Sequence, residues 1–154
     1  MKRTEQETHR RKKRDAIKHL AVGHDAIDAD HKIIVGCCNR LAACAAPEFQ
    51  FLIRRLSTLL SDHFQKEAAL LEAAGGALCS CHLRDHEELL NICDRAAKLH
   101  EKDYRAAQRL IRDDLARALR LHIAYRDQII ALRLNTTEPG PACSASADDK
   151  NKCR

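Results

Sequence analysis

Seven side chains of this sequence have the types and spacing to hold metal ions. His31, His63, His82, His86 and His122 offer five imidazoles, and Glu67 and Asp127 offer two carboxylates. Each interrupts an apolar stripe. Ile27 and Ile34/Val35 bracket His31, and Leu59/Leu60 and Leu70/Leu71 bracket His63 and Glu67. Leu78 and Leu89/Leu90 bracket His82 and His86, while Leu115 and Ala118/Leu119 lead to His122, and Ile123 and Ile130 bracket Asp127. Burying an unpaired carboxylate costs several kcal/mol, and unpaired imidazole nitrogens add to that. A bound metal removes the conflict by using those lone pairs.

On a helix, residues four apart lie only about 40° from one another. His63 and Glu67 therefore share a face, and so do His82 and His86. His122 and Asp127 are five apart, about 140° around an α-helix. A local π-bulge, or a centre extended between two ions, would accommodate them. Seven ligands are too many for one six-coordinate ion. If both carboxylates bridge two ions and a solvent-derived oxygen is shared, roughly eleven of the twelve positions of two octahedra are filled and one stays open. Imidazole with carboxylate suits iron or manganese, whereas structural zinc favours thiolate. The other helical di-metal design uses Glu-x-x-His on two helices, and that motif is absent from the chain.

Elements that could position these ligands follow from hydrophobic periodicity. A first helix is expected from near Asp28 or Asp30 to about Ala46, with Ile27, Ile34, Val35, Cys38, Leu41, Ala42 and Ala45 as its apolar positions. Pro47 suits the first turn of a second helix, which Gly75 and Gly76 stop. A third is expected from about Leu78. A polar patch at His100–Asp103 separates it from a fourth, which carries Leu110, Ile111, Leu115, Leu119, Ile123, Ile129 and Ile130 and ends near Leu134. The fold expected is all-α: an up-down-up-down four-helix bundle over residues 21–134. A basic tail (1–20) and a disordered or extended C-terminal tail (135–154) flank it.

Composition agrees. The chain has 154 residues with 3% aromatic, no Trp and few Gly or Pro, which argues against a strand-rich fold. No run reaches the ~20 apolar residues of a membrane span. The basic N-terminus lacks an apolar segment behind it, so no secretory signal is read and a cytoplasmic location is expected. The net charge is +5. Residues 1–20 hold eight basic and three acidic side chains, so this tail alone supplies it. Arg10–Arg14 could meet an acidic partner, although a solvated tail is the simpler reading; nucleic acid is disfavoured because the neutral body does not continue the patch. The eight Cys (37, 38, 44, 79, 81, 93, 143 and 153) include no C-x-x-C pair. Cys38 and Cys93 read as small core residues, and Cys143 and Cys153 as thiols of the tail.

Four segments together resemble the hemerythrin family, in its bacterial single-domain form. Val22-Gly23-His24-Asp25-Ala26-Ile27-Asp28-Ala29-Asp30-His31 is similar to V-G-x-x-x-I-D-x-x-H, followed by Asn39 and Leu41 at the family's N-x-L. His63-Phe64-Gln65-Lys66-Glu67 resembles H-F-x-x-E, His82-Leu83-Arg84-Asp85-His86 resembles H-x-x-x-H, and His122-Ile123-Ala124-Tyr125-Arg126-Asp127 resembles H-I-x-x-x-D. Three features depart from the family: the Trp that often precedes V-G is absent, Ala68 stands where an acid often follows the glutamate, and the cysteine count of eight is high.

The resemblance implies two irons bridged by an oxo or hydroxo group. It implies that His82, His86 and His122 bind one iron, His31 and His63 the other, and that Glu67 and Asp127 bridge them. Dioxygen would be the ligand, taken up reversibly on the two-histidine iron for storage, delivery or sensing. Leu60, Phe64 and Leu119, each within about a turn of a ligand, are the expected pocket walls. Two rival functions stand beside this one. The same centre could act as an oxidoreductase on peroxide, nitric oxide or ferrous iron. Alternatively, Cys79, Cys81 and His82 could make a zinc-binding interaction module. A monomer is expected, with self-association left open. His9, His19, His24 and His100 are read as tail, cap or surface residues, with His24 close enough in sequence to support the centre, and Asp28 as a helix-start residue.

Overall fold

The computed structural model describes residues 17–18 and 20–136. The basic run at Arg10–Arg14, His9, His19, Cys143 and Cys153 lie outside the described residues. Among the described residues every regular element is helical. Helix α1 is Asp25–Ala43, α2 is Ala46–Ala73 and α3 is Ser80–His100. A fourth helix follows in consecutive stretches, Tyr104–Arg109, Leu110–Leu115, Ala116–His122, Ile123–Asp127 and Gln128–Asn135, of which the second and fourth are wound as π-helix. The connections are short, so successive helices run antiparallel, and the fourth closes against α1. This is the expected four-helix bundle. No helix among the described residues is long and apolar enough to cross a membrane.

Local chemistry sets the helix ends. Gly23 sits at φ +85°, a left-handed conformation that favours glycine. The Asp28 carboxylate accepts from the backbone N–H of Val22 (2.7 Å) and of Gly23 (3.0 Å) and holds this turn against α1. The fourth helix ties it down from the other side, where Asn135 Nδ2 donates to Gly23 O at 2.7 Å and Gln128 Nε2 to Val22 O at 3.2 Å. Pro47 occupies the first turn of α2, and Gly75 (φ +72°) turns the chain out of its end. Cys79 caps α3, its sulfur accepting from His82 N at 3.4 Å, and Asp103 caps the fourth helix through Ala106 N.

Several expectations shift. Helix α1 begins at Asp25 and ends at Ala43, because the Gly23 turn starts it early and Cys44 is already extended; Ala45 is exposed. Helix α3 begins at Ser80 rather than Leu78, where Cys79 provides the cap. Ile129 is 62% exposed instead of lying on the core stripe. The π-turn before it adds a residue to the turn, so Ile130 and Ala131 follow Asp127 inward. Ile17, in the segment expected to be a tail, is buried in the core, with its N–H donating to Asn39 Oδ1 (2.9 Å) and its C=O accepting from Asn39 Nδ2 (2.8 Å). His100 is half-buried rather than a surface residue. It stacks on Phe49 and donates from Nε2 to Ala46 O at 2.9 Å, pinning the start of α2.

Candidate metal centre

All seven expected ligands are buried, and every helix contributes. Helix α1 supplies His31, α2 supplies His63 and Glu67, α3 supplies His82 and His86, and the fourth supplies His122 and Asp127. Pairs four apart on α2 and α3 share a face, as the helical period requires. The pair five apart is aligned differently. Residues Ile123–Asp127 form a π-turn, which brings Asp127 back to the same side as His122, and Nε2 of His122 lies 3.0 Å from Oδ1 of Asp127.

The ligand atoms fall into two groups, within each of which they lie no more than 4.8 Å apart. One contains Glu67, His82, His86 and His122, and the other His31, His63 and Asp127. Asp127 spans them. Its Oδ2 lies 2.9 Å from His31 Nε2 and 3.8 Å from His63 Nε2, and its Oδ1 faces His122 and, at 3.5 Å, His82. Glu67 reaches both sides as well: Oε2 is 3.3 Å from His86 Nε2, 3.4 Å from His82 Nε2 and 3.8 Å from His63 Nε2.

Many of these atoms are poorly satisfied by protein alone. Both oxygens of Glu67, Oδ1 of Asp127 and the Nε2 atoms of His63, His82, His86 and His122 are buried without a well-formed hydrogen bond. Orphaned lone pairs of this kind are costly in an apolar interior. Five imidazoles converging on two carboxylates therefore form a donor set that fits metal ions. Iron or manganese suits nitrogen and oxygen ligands of this type.

Electrostatics point the same way. Burial opposes the charge on Asp127, but the His122, His31 and His63 imidazoles around it outweigh it and hold the carboxyl far below its usual range. Burial likewise opposes the Glu67 carboxylate, and the nearby His82 and His86 imidazoles hold it down. Burial pushes the His63 imidazole down, yet the nearby carboxylates of Asp127, Glu67 and Asp30 leave it above its ordinary value. His86 is lowered, chiefly by burial and then by its imidazole neighbours, against the pull of Glu67.

The three expected wall residues, Leu60, Phe64 and Leu119, are also buried. Phe64 stacks on His86 with ring centroids 3.7 Å apart and stands 5.8 Å from both His63 and His122, so it covers rings of both groups. The Cys79, Cys81 and His82 set does not converge. Cys79 is spent on the helix cap, His82 Nε2 faces the carboxylates, and neither metal-competent group among the described residues contains a cysteine. His24 is half-buried and joins neither group. Sequence reasoning missed Asp30, whose Oδ2 lies 3.6 Å from His63 Nδ1 across the α1–α2 interface. Its place beside His31 was the one signal, and helix periodicity says nothing about contacts between helices.

The hemerythrin HHE cation binding domain matches residues 22–134, most of the chain. The chain belongs to the hemerythrin family. It is 23% identical over 128 residues to a bacteriohemerythrin of Ralstonia nicotianae (strain ATCC BAA-1114 / GMI1000), an alignment covering 83% of this chain and 93% of the relative. No solved structure matches it at a significant level. The matched residues 22–134 include all seven side chains of the two buried groups.

Proposed function

We propose that this hemerythrin-family chain binds dioxygen reversibly at a di-iron centre, for storage, delivery or sensing. The observation that carries the reading is the unequal division of histidines about Asp127: three stand with Glu67 on one side and two on the other. His82, His86 and His122 would hold one iron and His31 and His63 the second, with Glu67 and Asp127 between them and an oxo or hydroxo bridge completing the pair. When bound, such a pair would supply two electrons to dioxygen, which would be taken up beside His31 and His63.

The chain's own residues do the rest. Asp127 and Glu67 stay ionised, because the imidazoles around them favour the charged form. Leu60, Phe64 and Leu119 are apolar walls that keep water and proton donors from the site. Five imidazoles from four helices converge on the two carboxylates. A monomer in the cytoplasm, with residues 21–134 as the bundle, is part of the same proposal.

The test is metal analysis with visible spectra. About two irons per chain are expected from the ligand count, with an oxygenated spectrum that reverses under vacuum. Turnover of peroxide or nitric oxide with a reductant, and no stable adduct, would make the protein an oxidoreductase instead. A colourless protein loaded with zinc alone would overturn both readings.

A further inference from the structure

We propose that Asp30, anchored by Lys66, is a positioning residue for His63, so that one of the two histidines on the sparser side of the centre is set by a carboxylate from the neighbouring helix. The inference rests on the metal-binding part of the reading above and is independent of dioxygen.

Asp30 lies on α1, and His63 and Lys66 lie one turn apart on α2. Lys66 Nζ is 2.8 Å from Asp30 Oδ1 and 2.6 Å from Oδ2. As a surface pair this contact would be worth little. The carboxylate, however, is only 19% exposed and turns its Oδ2 toward His63 Nδ1 at 3.6 Å. Nδ1 is buried and has no hydrogen-bond partner among the described residues. A shift of roughly half an ångström would bring the pair into normal hydrogen-bond range.

The chemistry of an imidazole ligand explains the arrangement. One ring nitrogen gives its lone pair to the ion, and the other must carry the proton. A carboxylate at that second nitrogen fixes the tautomer, aims the ring and strengthens it as a donor. His63 presents Nε2 to Glu67 and Asp127 and Nδ1 to Asp30, which is this geometry. His31 has no equal support. Its Nδ1 is 3.9 Å from Asp28 Oδ1, and that oxygen is already engaged by Val22 N at 2.7 Å. Lys66 holds Asp30 in place from the solvent side without reaching the ligand itself, since its own side chain is 46% exposed.

The experiment loads the full chain with Co(II) alone, in competition with a chelator. Asp30→Ala is expected to weaken one of the two Co(II) sites by roughly 10–100-fold, the usual effect of losing a supporting carboxylate. Asp30→Asn, whose side-chain oxygen can still accept from Nδ1–H, should fall between the two. Lys66→Met leaves Asp30 in place and should weaken the same site less. In Zn(II)-loaded protein, the His63 Nδ1 proton should be protected from exchange by NMR, and that protection should vanish in Asp30→Ala while the His31 signal is unmoved. Affinities within about twofold of wild type in Asp30→Ala, far short of that loss, or an unchanged His63 proton, would overturn the proposal while leaving the centre intact. Failure of the wild type to take up Co(II) or Zn(II) would overturn the metal reading and this proposal with it. Metal uptake without reversible dioxygen binding would sink only the dioxygen reading.

Discussion

His122 and Asp127 are five residues apart on one helix, yet His122 Nε2 and Asp127 Oδ1 are 3.0 Å apart because the intervening residues form a π-turn. That turn lets the fourth helix contribute an imidazole and a carboxylate to one point. It also makes Asp127 the common neighbour of both ligand groups, with Oδ2 at His31 and Oδ1 at His122.

Asp127 should therefore matter more for metal content than any single histidine. Asp127→Ala is expected to lower iron well below half of the wild-type content. His122→Ala should chiefly deplete the three-histidine side. Iron per chain after reconstitution, with helical circular dichroism as a control for folding, checks both. Equal losses in the two variants would refute the spanning role.

Metal retention should fall in two steps on acidification. Raised above its ordinary value near 6.5, His63 keeps its proton to higher pH, and a proton on the ligand competes with the ion. His86 is lowered, so it stays neutral and available further into acid. Both carboxylates are held low and are not the first to protonate. Lowering the pH from about 8 to about 5 should thus release metal from the His31/His63 side before the other. Site-resolved Co(II) spectra against pH would show it, and a single transition would count against it.

Phe64 joins packing to the site through its stack on His86. Phe64→Ala should cost about 3–5 kcal/mol of stability, the usual range for emptying a buried aromatic position. Urea unfolding of the metal-free protein measures this directly. A loss under about 1 kcal/mol would mean the neighbouring side chains collapse into the space.

Burial pushes the thiols of Cys38 and Cys93 up to about 12. Neither should form appreciable thiolate at about pH 8, so alkylating reagents should leave both unmodified in the folded protein and label them on unfolding. Mass spectrometry of trapped samples reads this out. Rapid labelling of either residue in the native state would contradict their place in the core.

Much of the site was legible from residue order alone. The 3.6-residue period placed His63 with Glu67 and His82 with His86, and the apolar stripes turned those faces inward. Four amphipathic segments with short connections left few ways to bury those stripes other than a bundle. The mismatch of His122 and Asp127 was visible as a spacing, and a π-bulge was one of two ways to satisfy it. Choosing between them took the tertiary structure, because His31 on α1 and His82 on α3 also face Asp127 and help hold the turn that brings it in. The same turn rotates Ile129 outward, which no fixed period could show. The second π-stretch, at Leu110–Leu115, had no signal in the residue order. Contacts between helices were likewise beyond periodicity: Ile17 clasped by Asn39, His100 against Ala46, and Asp30 beside His63. Local sequence determines which face of a helix a residue occupies. Which atom of another helix it meets depends on how the helices pack, and the whole core sets that at once.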